Sequence, residues 1–353
     1  MMNFTYNSLP SRVIFGAGSR EQLAGEIERL GCSRALILST SGHESLATKL
    51  ARQIGKLAVA VFPGAVMHTP VPVSEQAAEV ARSVNADCTV ALGGGSTIGL
   101  GKAIALRTDL AQFAIPTTYS GSEMTPILGE TEGRKKTTKR TPKVLPEVVL
   151  YDPELTLSLP VHLSVTSGIN ALAHAVEASY AKDRNPIISL MTEESIRAFA
   201  RSLPAIVINA ENESARSDAL YGAWLAGSCL GAVGMSLHHK LCHVLGGTFN
   251  LPHAETHTVI LPHAIAYNST AEPGVMNTIA KAISADDASI GLYDFTGRLG
   301  AKRSLRQLGM PEDGIEKVAL LAMQNPYWNP RKFELHAIHE LIRRAWAGEP
   351  PKA

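Results

Sequence analysis

Histidines and one asparagine at helical spacing are the residues of this 353-residue chain best suited to chemistry. The segment Gly168-Ile-Asn-Ala-Leu-Ala-His174 sets Asn170 and His174 four residues apart. His239 and His243 repeat that spacing in HHKLCH, and His253 follows in LPHAETH. Positions i and i+4 of a helix lie on one face. Three imidazoles with a carboxylate would make a good divalent-metal set. Here the fourth position is an amide, uncharged and a poor ligand. The pattern therefore predicts a metal-enzyme framework working without its metal, in which the freed imidazoles donate hydrogen bonds or protons. His238 lies about 100° round the helix from His239 and is expected at the periphery. His257, four residues after His253, is read equally well as a cleft or a surface residue. Cys242 is expected to be a small buried hydrophobe despite its histidine neighbours.

A second group of residues suits a nucleotide. Ala91-Leu-Gly-Gly-Gly-Ser-Thr-Ile98 follows a strand pattern and enters a helix. Glycines let backbone N–H groups approach a phosphate, and a helix N-terminus favours an anion. Gly93, Gly94, Gly95, Ser96 and Thr97 are thus candidates for a pyrophosphate cradle. Gly16-Ala-Gly18 is read as a hairpin-type turn. The loop Ile115-Pro-Thr-Thr-Tyr-Ser-Gly-Ser-Glu-Met124 offers hydroxyls at Thr117, Thr118 and Tyr119, the last proposed for substrate. Among the cations, Lys102 and Arg331 are candidates for carboxylates or cofactor phosphates, and Arg134–Arg140 is read as a solvated basic loop.

The elements that must hold these residues fall into two textures. Short apolar runs at Ala35–Leu38, Val59–Phe62, Cys88–Leu92, Phe113–Ile115 and Val148–Tyr151 read as buried strands, with helical patterns between them at 44–55 and 73–85. Such alternation implies a parallel sheet with helices on both faces. After Asp152-Pro153, helical stretches dominate (168–181, 185–201, 214–231, 236–247, 274–285). The expected organisation is an α/β domain at 1–157 and an all-α domain at 158–353.

Composition is that of an ordinary globular protein, 45% hydrophobic and 18% charged with a net charge of +1. It offers no electrostatic case for nucleic acid or an acidic membrane surface. Four scattered cysteines read as reduced thiols, and neither a signal peptide nor a spanning segment is evident. A cytoplasmic enzyme is expected.

Taken together, the GGGS turn with Lys102, the PTT loop, Tyr151-Asp-Pro, the 168–180 helix, HKLCH and PHAETH resemble the iron-dependent (group III) alcohol dehydrogenase family, whose architecture is that of dehydroquinate synthase. The resemblance implies metal-ligand positions at Asn170, His174, His239 and His253, with His243 as a proton relay. Asn170 replaces the family's aspartate ligand, Gly99 replaces the aspartate after GGGS, and the loop reads TTYSGSEMTP in place of TTAGTGSE. Those departures, with TEGRKKTTKRTPKVLPEVVLYDP and Asn325–Arg331, are similar to the branch that reduces maleylacetate without metal during resorcinol, hydroxyquinol and chlorocatechol breakdown. The implied catalytic set is His243, His253, His239, His174 and Asn170, with Tyr119, Arg331 and His257 toward a dicarboxylate substrate. Thr40 stands where many relatives carry an aspartate for the ribose hydroxyls, so NADH and NADPH are both expected to serve. A homodimer is expected on the resemblance alone. Rival readings are a metal-dependent alcohol or aldehyde dehydrogenase, a lyase of the dehydroquinate synthase type, and a non-catalytic binding module.

Overall fold

The computed structural model describes residues 4–9, 11–133 and 135–353. Two compact units are formed, Ser8–Leu159 and Pro160–Ala353, with residues 4–7 grouping with the latter.

In the first unit a six-stranded parallel sheet is built from β1 (Arg12–Phe15), β2 (Ala35–Leu38), β3 (Ala58–Phe62), β4 (Cys88–Gly93), β5 (Ala111–Pro116) and β8 (Val148–Tyr151), in the order β1-β8-β5-β4-β2-β3. Helices α1 (Leu23–Arg29), α2 (Glu44–Ile54), α3 (Val71–Ser83) and α4 (Gly95–Thr108) connect them. The central strands are apolar on both faces because helices cover both; β2, β4 and β8 are buried along their whole length. From β2 the chain runs outward to β3, then returns past β2 to β4 and β5. Strand order therefore reverses between β2 and β4. Ligands of open α/β sheets bind outside the carboxyl ends of the strands at such a reversal, and there β2 delivers Thr40 while β4 delivers Gly93–Gly95.

Three sequence expectations are corrected in this unit. The turn Gly16-Ala-Gly18 is not a hairpin, since β1 pairs with β8 in parallel; Gly18 is left-handed and leads into a 3-10 turn at Ser19–Gln22. Asp152 holds that turn, accepting hydrogen bonds from the backbone N–H of Gly18 (3.1 Å) and from Arg20 Nη1 (2.6 Å). The basic run is not a loop: β6 (Ile127–Glu132) and β7 (Lys135–Arg140) form an antiparallel ribbon, while Arg134 lies outside the described residues. The sequence of β7, KKTTKR, is polar throughout, as suits a strand with an unpaired edge. The 73–85 helix starts two residues earlier, at Val71, with Pro72 in the first turn.

The second unit is helical: α5 (Val161–Ser179), α6 (Pro186–Ile208), α7 (Glu213–Ala232), α8 (Leu237–Phe249), α9 (His253–Asn268), α10 (Pro273–Ala282), α11 (Ala288–Arg298), α12 (Gly314–Met323) and α13 (Leu335–Ala347). Side-chain caps start several of them; Asn185 Oδ1 accepts from the amides of Ile187 and Ile188 to open α6, and Asp287 does the same for Ile290 in α11. Small residues let α5, α6 and α7 approach closely: a Cβ on Gly168 would lie 2.7 Å from Leu203 Cδ2. Helices α8, α9, α12 and α13 enclose a separate apolar core around Leu241, Leu245, Ile260, Val318 and Ile342. Among the described residues no single helix is long and apolar enough to cross a membrane.

Candidate active site

Helix α5 carries Asn170, His174 and Glu177 at i, i+4 and i+7, one stripe of the helix. Helix α8 adds His238, His239, Cys242 and His243, and α9 adds His253 and His257. Packing of α5 against α9 and of α8 against α9 brings the three sets together.

The hydrogen bonds run as a chain. Asn170 Nδ2 lies 3.3 Å from His174 Nε2, His174 Nδ1 lies 3.0 Å from His239 Nε2, and His239 Nδ1 lies 2.5 Å from Glu177 Oε2. Glu177 Oε1 also accepts from the backbone N–H of His238 at 2.8 Å. A carboxylate only accepts, so with one proton on each ring the direction is fixed from one end. His239 donates from Nδ1 to Glu177, His174 donates from Nδ1 to His239, and Asn170 donates to His174. Asn170 Oδ1 is buried with no hydrogen-bond partner among the described residues.

Burial grades the histidines. His238 and His257 are fully buried and joined Nε2 to Nδ1 at 2.9 Å. Burial, with the neighbouring imidazoles, pushes both well below the usual histidine range, so both are uncharged. His243 is half-buried with its Nδ1 3.1 Å from the hydroxyl of Tyr327, and His253 is exposed with its ring 4.3 Å from that of His257. The open side of the cluster is thus formed by His243 and His253.

In the first unit, the α4 N-terminus has no side-chain cap, and Gly95 is exposed there. Gly93 has φ +155° and a Cβ on it would lie 2.4 Å from Thr97 Oγ1; one on Gly94 would lie 2.9 Å from Thr118 Cγ2. The hydroxyls of Thr97 and Thr117 are buried with no hydrogen-bond partners among the described residues. An uncapped helix end that side chains would obstruct fits a dinucleotide phosphate. Thr40 Oγ1 lies 3.0 Å from His43 Nδ1, so the end of β2 carries a hydroxyl and an imidazole where an acid would oppose a 2′-phosphate. Gly99 is explained sterically: a Cβ would lie 2.5 Å from Thr69 Oγ1, in a segment where His68 and Thr69 are both left-handed.

Several residues singled out in the sequence occupy other positions. Lys102 is turned into the unit; its buried Nζ lies 2.6–2.9 Å from the carbonyls of Ser122, Thr125 and Ile127 and the hydroxyl of Thr125. Burial lowers its pKa to about 7, against the pull of Glu123. Tyr119 is fully buried and exposes no surface to substrate. Arg331 stacks on Tyr267, 4.2 Å from the ring centroid, and donates to the Tyr267 carbonyl at 3.2 Å. Tyr267 lies fourteen residues along α9 from His253, roughly 21 Å. His257 faces His238 rather than an open surface, and His238 is a central member of the cluster, not a peripheral one. Glu177 and Tyr327 were not foreseen. The i, i+4, i+7 spacing of Asn170, His174 and Glu177 is the available signal for the first; for the second the resemblance of the Asn325–Arg331 segment marks the stretch but assigns Tyr327 no role.

Comparison with known proteins agrees with this geometry. Residues 10–153 match the model of iron-containing alcohol dehydrogenase, and residues 164–346 match that of the Fe-containing alcohol dehydrogenase family, C-terminal. The chain belongs to the iron-containing alcohol dehydrogenase family. It is 57% identical to a maleylacetate reductase of Sphingobium indicum, with 99% of each chain covered, and 56% identical to one of a Rhizobium species over the whole of both chains. The crystal structure of a maleylacetate reductase from Agrobacterium tumefaciens superimposes with a TM-score of 0.97 at 56% identity, covering 99% of this chain and 100% of that one. The protein is therefore an oxidoreductase with an α/β domain and a helical domain, and both the family and the branch read from the sequence motifs are met.

The family name implies iron. Ring nitrogens of His174, His239 and His257 come within 4.8 Å of one another, close enough to grip a cation. Among the described residues no carboxylate joins that set, and beside His174 stands the amide of Asn170. Glu177, the carboxylate that does reach the cluster, is committed to the far nitrogen of His239 and to backbone amides. Iron sites of the imidazole-plus-carboxylate type need that charge among the ligands. The residues present do not fit such a site.

Proposed function

We propose that this protein reduces maleylacetate to 3-oxoadipate with NADH or NADPH, independently of metal, with 1–157 as the nucleotide domain and 158–353 as the catalytic domain. The observation that carries the reading is Asn170, an amide at the place of the charged ligand, in a chain 56–57% identical over its length to maleylacetate reductases.

The substrate's carbon–carbon double bond is conjugated to a ketone. The bound nicotinamide supplies a hydride to the carbon β to that ketone. Negative charge then develops on the ketone oxygen, and the carbon next to the ketone needs a proton. His243 is the proton donor in this reading: it is half-buried, on the open side of the cluster, and steadied by Tyr327. His253 is the exposed donor for the oxyanion or a carboxylate. Asn170, His174, His239 and Glu177 form the hydrogen-bonded support that fixes ring orientation behind them. A conjugated ketone needs less polarisation than a simple carbonyl, which is why imidazole donors suffice where relatives acting on alcohols use a Lewis acid. The same reading makes the enzyme a cytoplasmic homodimer, checked by sedimentation.

The test is oxidation of NADH and NADPH by maleylacetate with chelator-stripped enzyme verified free of metal. Undiminished turnover is expected. Loss of activity on stripping, restored by iron or zinc, would favour a metal-dependent alcohol or aldehyde dehydrogenase instead.

A further inference from the structure

On the surface of the helical unit, between the C-terminal end of α11 and that of α13, a cavity of about 360 Å³ is lined by Lys302, Arg303, Ser304, Arg306, Gln307 and Gly348. Among the described residues none of its three cations has an ion-pair partner, and no acid lines it. Glu349, next to the rim, is taken up by Arg343 and Arg344 at 2.8 and 3.1 Å.

The two guanidinium groups are held in place rather than free. Arg303 stacks over Tyr293 at 4.5 Å from the ring centroid, and Arg306 lies over Trp346 at 5.3 Å. Stacking restrains a long side chain while leaving its N–H edge available. Arg303 also rests over Gly297: a Cβ there would lie 2.7 Å from its Nη1. The two aromatic rings are themselves fixed, Tyr293 by a 2.7 Å bond to the Gly348 carbonyl and Trp346 by a 2.9 Å bond to the Met310 carbonyl. Three cations in one concavity, two of them pre-positioned, repel one another and gain by accepting a multivalent anion; planar guanidinium groups suit phosphate and carboxylate alike.

We propose that this pocket binds a small polyvalent anion, a phosphate or carboxylate compound with at least two negative charges. It lies within the helical unit and uses none of the histidine cluster, so it is a site additional to the one that performs the reduction.

The probes are inorganic phosphate and succinate, titrated calorimetrically into the full-length protein at low ionic strength, with sodium chloride as the control for screening. Saturable binding of at least one is expected in the parent protein, weakened about tenfold or more in Arg303→Ala/Arg306→Ala. Gly297→Ala, which displaces only the tip of Arg303, is expected to weaken it less. Maleylacetate reduction is expected to be unchanged in both variants. Binding of phosphate alone or succinate alone would assign the anion class. Absence of saturable binding, or equal binding in the double variant, would overturn the proposal; the latter would place the anion at another site, such as the α4 N-terminus.

Discussion

Glu177 Oε2 lies 2.5 Å from His239 Nδ1, and this one contact sets the direction of every hydrogen bond from His239 through His174 to Asn170. Glu177→Gln cannot preserve it. The glutamine oxygen can serve His239 or the His238 amide, but its NH2 group must then face the other donor. A loss in kcat of about 10- to 100-fold is expected, the usual range for an outer-shell partner, with KM for the nucleotide unchanged. Steady-state kinetics decide; an unchanged kcat would remove Glu177 from the account.

The hydroxyl of Tyr327 is 3.1 Å from His243 Nδ1. His243→Ala should lower kcat by about 100- to 10,000-fold if His243 delivers the proton. Tyr327→Phe keeps the ring and removes only the positioning contact, so a much smaller loss is expected, vanishing in the His243→Ala background. Additive losses in the double variant would show that the two residues act separately.

Gly99→Asp installs the aspartate that the family resemblance places after GGGS but puts a Cβ 2.5 Å from Thr69 Oγ1. Overpacking of this kind costs about 1–3 kcal/mol. Thermal denaturation should show a lowered Tm, recovered partly by adding Thr69→Ala. A Gly99→Asp variant as stable as the parent would mean that the 66–70 segment yields easily.

His263 on α9 is buried, neither ring nitrogen has a hydrogen-bond partner among the described residues, and burial lowers its pKa to about 4. The unfolded chain, with an ordinary histidine, takes up the proton first as pH falls. Stability is therefore lost between about pH 6.5 and pH 4, by at most about 3 kcal/mol. His263→Leu should flatten that part of the profile and raise stability near neutrality. Chemical denaturation at several pH values checks both; parallel profiles for variant and parent would refute the assignment.

Legibility in the sequence followed burial pattern. Ala35–Leu38 and Val148–Tyr151 were read to the residue because strands covered on both faces are unbroken apolar runs. Arg12–Phe15 was missed because an edge strand of four residues, half exposed, gives neither a run nor an alternation. The ribbon of β6 and β7 has no clear signature because β7 carries only charges and threonines, and on β6 the buried Leu128 alternates with a buried glutamate, Glu130, instead of a second apolar residue. Helix α9 concealed itself differently: it is buried almost throughout and contains Pro262, so it has neither a polar stripe nor an unbroken pattern. Within the site, pairs on one helix such as Asn170 and His174 were visible as spacing. The His174–His239 and His238–His257 contacts cross between helices and have no sequence signature. Lys102 and Arg331 read as available cations because three of the four oxygens around Lys102 and one partner of Arg331 are backbone carbonyls, which every sequence contains.

The four oxygens around Lys102 Nζ belong to the segment that follows Thr117 and Thr118, and beside it Tyr151 donates to Glu123 at 2.8 Å. A buried lysine thus acts as the fastener of a loop that glycine, serine and threonine would otherwise leave loose. Its ordering is completed when the domain folds, before any nucleotide arrives. Binding then spends little on immobilising the protein, and affinity is kept for the ligand itself.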